Sequence, residues 1–103
     1  MASLTKEVSM NPIAKKLWLK ALPKYTQGKR WMRRNGRHCC LGVLQECALK
    51  AGVEFAPEWG LGSLPQKIKD WSELTYGDQW SLAERNDAGD TFEEIALMIE
   101  NGL

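Results

Sequence analysis

The sequence is poor in the residues from which most recognisable sites are built. It has one histidine, His38, and three cysteines, Cys39, Cys40 and Cys47, among 103 residues. An odd cysteine count without an export signal argues against a disulfide framework. Cys40 and Cys47 on one helix would stand roughly 10 Å apart, beyond the ~7 Å that a bridge allows, so reduced thiols are expected. The paired spacings of zinc ligands are missing from His38, Cys39, Cys40 and Cys47, and no metal is expected. Asn86-Asp87-Ala88-Gly89-Asp90 lacks the glycine and glutamate offsets of a calcium loop and reads as a turn. There is no phosphate-cradling glycine loop, dinucleotide fingerprint or serine elbow, so no cofactor is expected. Long apolar runs are missing too. Nothing approaches the ~18 to 20 residues that cross a bilayer, and the first ten residues, with Lys6 and Glu7, lack a signal-peptide core. A cytoplasmic protein without a membrane partner is expected. Met10-Asn11-Pro12 resembles a second translation start, so residues 1–10 read as a flexible leader and residues 11–103 as a single domain.

Acid is scarce in the first part of the chain. Residues 1–38 carry ten cations against Glu7 alone, a local balance of +9, and residues 39–103 carry four cations against twelve acids, a balance of −8. The whole is only +1. Such asymmetry either makes a positive face that attracts anions or lets the two halves attract each other in the fold. Apolar and charged fractions of 44% and 26% are those of a globular domain.

The elements follow from capping and periodicity. Asn11 as N-cap and Pro12 at the first helical position open a helix that Pro23 stops near Leu22, with Ile13, Ala14, Leu17, Trp18, Ala21 and Leu22 on one face. Lys15, Lys16 and Lys20 fall on the opposite, solvated side. Asn35-Gly36 signals a hairpin between Lys29-Arg30-Trp31-Met32-Arg33 and Arg37-His38, because both turn residues tolerate positive φ. A central buried helix starts at Cys40, presents Cys40, Val43, Leu44, Cys47, Ala48 and Ala51, and closes at Gly52. Gly42 in its first turn costs about 1 kcal/mol of helix propensity and so marks close approach of another backbone. Val53-Glu54-Phe55 reads as a short strand, and Pro57 to Gly62 as a loop that folds Trp59 back onto the core. A short helix from Pro65 carries Leu64, Ile68 and Trp71 inward. Thr75 to Gln79 reads as a turn, and Trp80-Ser81-Leu82 as a short strand or a brief helical turn. Thr91 and Glu94 form a capping box for a last helix with Phe92, Ile95, Ala96 and Ile99 buried. The expected fold is α+β: three main helices plus a short fourth, packed on a small antiparallel hairpin or three-stranded sheet.

These residues also carry a resemblance. Asn11-Pro12, Tyr25-x-Gln27-Gly28, Cys39-Cys40-Leu41-Gly42-Val43-Leu44, Leu64-Pro65 with Trp71, Asn86-Asp87 and Thr91-Phe92-x-Glu94-Ile95-Ala96 resemble a family of small uncharacterised phage and prophage proteins. The Cys-Cys-Leu-Gly-Val-Leu run is its most specific part, and the likeness extends from Asn11 nearly to the end of the chain. The chain departs from the pattern at Ala48, where an acidic residue commonly follows the third cysteine. The resemblance implies a phage or prophage origin, a bacterial cytoplasm, and an accessory role exercised by binding a host component.

Two constellations carry candidate chemistry. Between Lys24 and Arg37 lie six cations and no acid, interleaved with Tyr25 and Trp31. That mixture suits phosphate attraction and base stacking, and its candidate ligand-binding residues are Lys29, Arg30, Trp31, Arg33, Arg34 and Arg37. The competing account makes them solvated strand residues, with Trp31 in the core and the arginines paired to the acidic half. The second constellation is His38-Cys39-Cys40 at a helix start, where a thiol of lowered pKa beside an imidazole follows the logic of cysteine-dependent acyl transfer. Adjacency on a strand does not pair His38 with Cys39, and buried structural thiols are the commoner state. Five tryptophans exceed what a small core buries easily, which leaves Trp59, Trp80 and Trp31 free for a pocket or interface. The expected function is non-enzymatic: a phage-type accessory protein binding an anionic partner, nucleic acid or nucleotide, at the basic hairpin. The alternatives are an anti-defence type inhibitor of a host protein and a cysteine-dependent enzyme using Cys39.

Overall fold

Helix α1 begins where its sequence says it should. The Asn11 side chain accepts from the backbone N–H groups of Ile13 and Ala14, Pro12 occupies the first turn, and the helix spans Pro12–Ala21 before a single 3₁₀ turn at Leu22–Lys24. The computed structural model describes residues 9–103, so the expected leader lies outside the described residues except for its last two positions. Met10, assigned to that leader, is buried in the core, and the Asn11 N–H donates to the Ser72 carbonyl. The buried line of α1 is Ala14 and Trp18, continued by Leu22 in the 3₁₀ turn; of the other expected inward residues, Ile13 is 68% and Leu17 38% exposed. The strip that meets the core is thus one row of i, i+4 positions rather than a broad face.

The sheet is a two-stranded antiparallel hairpin, β1 (Arg33–Arg34) and β2 (Arg37–His38), with Arg33 opposite His38 and Arg34 opposite Arg37. Asn35 and Gly36 both take positive φ, 54° and 77°, as the tight turn requires. No full third strand forms among the described residues. Gln27 makes one isolated parallel bridge to His38, and on the other side the N–H groups of Met32 and Arg33 donate to the Gly60 and Trp59 carbonyls. Val53-Glu54-Phe55, expected as a strand, is irregular. Its loop is held by buried glutamines instead: Gln45 exchanges hydrogen bonds with the Glu58 backbone, and the Gln79 carbonyl oxygen accepts from Leu64 N–H.

Helix α2 (Cys40–Lys50) is the centre of the domain, buried on nearly every side from Cys40 to Ala48, and it packs against α1, β2, α3 and α4. Ala51, expected inward, is exposed. Gly42 meets the Met32 main chain so closely that a Cβ would collide with the Met32 carbonyl oxygen. Helix α3 (Gln66–Ser72) buries Ile68 and Ser72, with Trp71 only half-buried, and ends at Glu73 with φ 58°.

The helix count corrects the sequence expectation: the described residues form five helices. The stretch read as a turn followed by a short strand or a brief helical turn is one long helix, α4 (Tyr76–Ala88), capped by Thr75 and closed by Gly89 at φ 112°. Its buried face is Gln79, Leu82 and Asn86, so the apolar rhythm that announces a helix is largely missing. Asn86 and Asp87 therefore belong to its last turn and not to a loop. Helix α5 (Phe92–Gly102) has the expected Thr91–Glu94 capping box and buries Phe92, Ile95 and Ile99 against α1 and α4. The fold is helix-dominated α+β, and among the described residues no helix is long and apolar enough to cross a membrane.

Candidate functional site

A network of amides sets the position of the basic hairpin. Asn86, fully buried, accepts from Cys40 N–H and from the Gln27 side chain, and donates to the Gly28 carbonyl at 2.8 Å. Gln27 in turn donates to the Asp90 carbonyl and accepts from Phe92 N–H. The chain leaving this clamp makes a three-residue turn in which Trp31 N–H donates to the Lys29 carbonyl. Arg30, at its centre, sits at φ 71°, with its own N–H held by the Asp87 carboxylate at 2.8 Å. A non-glycine residue at such an angle stores about 1–3 kcal/mol and persists only where its surroundings enforce it.

The six predicted ligand-binding residues divide into three groups. Lys29, Trp31, Arg34 and Arg37 line one shallow hollow of ≈ 220 Å³ beside Gly28 and Asn35. The Arg34 guanidinium lies 4.6 Å from the Trp31 ring centroid, and Gly60 faces the same indole. Trp31 is half-buried rather than a core residue. Arg33 points away from that hollow, as the alternation of a strand demands: its guanidinium stacks on Trp59 at 4.0 Å and bridges Glu46 at 3.5 Å. Arg30 lines a different hollow, of ≈ 480 Å³, together with Leu61, Tyr76, Trp80 and Asp87. Among the described residues one basic side chain of the hairpin, Arg33, bridges a carboxylate besides His38, and the side chains of Lys29, Arg30, Arg34 and Arg37 do not.

The second constellation is built as packing. His38 is 6% exposed, enclosed by Tyr25 and Trp59, with Nε2 2.8 Å from Glu46 Oε2. Its Nδ1 is buried without a hydrogen-bond partner. Glu46, not Cys39, is the group His38 engages. All three thiols are free and buried. Burial pushes the Cys39 thiol up despite the N–H groups of Gly42 and Leu41 that favour its thiolate, pushes Cys40 up much further, and pushes Cys47 up to about 11. A nucleophilic cysteine needs the opposite shift. No group of three or more His, Cys, Asp and Glu side chains able to hold a metal ion occurs among the described residues.

Sequence reasoning missed two features of this surface. One is Asp87, which fixes the Arg30 turn from 57 positions away. The other is a cleft of ≈ 450 Å³ between α1 and the end of α2, near Lys20, Lys24 and Lys50. Lysines at four-residue steps flanking Leu17 and Ala21 were its one visible signal. Compared with protein-family models, curated proteins and solved structures, the chain matches none of them.

Proposed function

We propose that this chain is a non-enzymatic, phage-type accessory protein that binds the sugar–phosphate backbone of a nucleic acid at the hairpin hollow formed by Lys29, Trp31, Arg34 and Arg37. The observation that carries this reading is three cations around one hollow with no carboxylate to neutralise them among the described residues. Three like charges are held together here without internal compensation, and an anion relieves that repulsion.

Magnitudes favour a polymer over an enclosed nucleotide. At ≈ 220 Å³ the hollow lies below the about 300–1,000 Å³ of small-molecule sites. An exposed cation–π contact is worth about 0.5–1 kcal/mol, whereas a hydrogen bond to a charged group contributes about 1.5–3 kcal/mol. A phosphate therefore draws Arg34 off the Trp31 ring and leaves an indole face for a base. The strained turn at Arg30 carries Lys29 and Trp31 of this hollow on its two flanks, and such outliers gather at functional positions. The phage setting and the bacterial cytoplasm rest on the motif resemblance.

Fluorescence anisotropy of a labelled 20-nucleotide single strand, titrated with the full chain at several salt concentrations, tests the proposal. Three phosphate contacts give a slope of about −2 in log affinity against log salt. No binding at low salt, or binding indifferent to salt, refutes it.

One observation favours a second reading, inhibition of a host protein. Leu61, Tyr76 and Trp80, between 55% and 60% exposed, surround the hollow that Arg30 and Asp87 also line. Exposed aromatic anchors beside an arginine are the make-up of interface hot spots.

A further inference from the structure

The cleft between α1 and α2 lies apart from the hairpin hollow and shares no lining residue with it. Its volume of ≈ 450 Å³ falls within the small-molecule range. Leu17, Ala21 and Ala51 give it apolar walls, and the Tyr25 ring closes one side. Every ionisable side chain in that lining other than Tyr25 and the protonated Cys47 is a lysine: Lys20, Lys24 and Lys50. Lys20 and Lys24 are exposed and make no hydrogen bond or ion pair to a described residue, while Lys50 Nζ donates to the Tyr25 hydroxyl at 3.2 Å.

That last contact has a chemical consequence. The Tyr25 oxygen receives its hydrogen from an ammonium group that has only donors, so the phenolic O–H is left to donate elsewhere. Two ammonium groups without partners among the described residues and one spare hydroxyl donor therefore stand beside an apolar hollow. Helix C-termini do favour cations, which accounts for Lys20 and Lys50 in the last turns of their helices. The macrodipole does not account for the hollow between them.

We infer that this cleft binds a small anionic amphiphile. Its oxyanion head is held by Lys20, Lys24 and the Tyr25 hydroxyl, and its compact aromatic or acyl body lies against Leu17, Ala21 and Ala51. A carboxylate and a phosphate ester supply the same head chemistry, and ammonium groups, being point charges, accept both. An uncharged body of the same length forgoes the charge-assisted contacts to the lysines and binds poorly.

The test uses the full chain with anilinonaphthalene sulfonate, an anionic aromatic amphiphile whose fluorescence rises on burial. One saturable site is expected, displaced by decanoate and by decyl phosphate but not by decanol; the stronger of the two anions identifies the head group. Lys20→Gln with Lys24→Gln weakens the probe about a hundredfold, near tenfold for each charged contact. Ala51→Trp, at an exposed position with helical φ of −80°, fills the cleft and abolishes binding. Unchanged thermal midpoints show that both variants are folded. Arg34→Ala leaves the probe's affinity as in the parent chain, so failure at the hairpin and failure at the cleft are separable. Absence of a saturable site overturns the inference. So does equal displacement by decanol, or affinity that survives both variants.

Discussion

The Gln27 side-chain amide donates to Oδ1 of Asn86 at 3.1 Å, across 59 positions of sequence. Through this pair the hairpin at Gly28, the start of α2 at Cys40 and the start of α5 at Phe92 share one buried hydrogen-bond network. Several of the motif residues behind the phage-family resemblance are thereby explained as framework. Gln27, Cys40, Asn86 and Phe92 connect elements, and Asp87 fixes a turn. We predict that Asn86→Ala destabilises the domain by about 2–4 kcal/mol, because it strands two backbone groups and takes away one of the two acceptors of the Gln27 amide. Asn86→Asp keeps the acceptor, loses the donor to Gly28 and buries a charge, so it gives no rescue. Urea denaturation measures both, and a loss below about 1 kcal/mol for the alanine variant would show that water substitutes for the network.

What the sequence made legible is what short-range chemistry dictates. The Asn11-Pro12 start, the Asn35-Gly36 turn and the Thr91–Glu94 capping box are each fixed by residues within a few positions of one another. The missed helix α4 shows the limit. Its Thr75 cap and its Gly89 stop are present in the sequence, but its buried face is two amides and a leucine, Gln79, Leu82 and Asn86. Those amides are buried because they satisfy backbone groups of distant segments, and a periodicity of polarity carries no such information. The hairpin shows the same limit. Strand alternation alone sends Arg33 and Arg34 to opposite faces, but which face is already occupied depends on Glu46 and Trp59, which reach Arg33 from α2 and the loop after it.

Among the described glycines, Gly42 leaves the least room for a side chain. Gly42→Ala gains helix propensity worth about 1 kcal/mol, yet drives a methyl group into the Met32 carbonyl, which cannot move aside as a flexible side chain can. The collision outweighs the gain: a net destabilisation of about 2–3 kcal/mol is expected, with the hairpin displaced from α2. Thermal unfolding gives the first quantity and amide shifts of Met32 to Arg34 the second. A variant as stable as the parent chain, with those shifts unchanged, contradicts the packing described.

The Cys47 thiol makes stability sensitive to alkali. Its folded pKa is pushed up to about 11 from the ordinary thiol value of 9.0, chiefly by burial. The protonated form is favoured in the folded state, so this contribution is fully present below pH 9 and is lost as the pH rises through about 11. Lysine and tyrosine titrate in the same range, so the readout is a difference. The unfolding free energy of the parent chain falls more steeply between pH 9 and pH 11 than that of Cys47→Ala. Parallel profiles would mean that the thiol ionises in the folded protein as freely as in the unfolded chain.

The division of the hairpin arginines is the sharpest consequence for function. Arg34 and Arg37 line the hollow with Lys29, whereas Arg33 is already engaged by Glu46 and Trp59 on the other side of the strand. Replacing Arg34 and Arg37 together with alanine removes two phosphate contacts, and the salt slope for a single strand falls by about 1.4 at about 0.7 per contact. Stability changes by less than about 1 kcal/mol, because neither side chain is buried. Arg33→Ala leaves the slope nearly unaltered and costs only the small stability of an exposed ion pair, up to about 1 kcal/mol. Trp31→Ala adds a loss that salt does not modulate, since stacking releases no counterions. If Arg33→Ala weakens binding as much as the Arg34 and Arg37 replacements do, the nucleic acid runs across the whole ribbon and the hollow is not its site. If none of the three changes binding, the cations serve solubility alone, and the exposed Tyr76 and Trp80 face becomes the surface to mutate next.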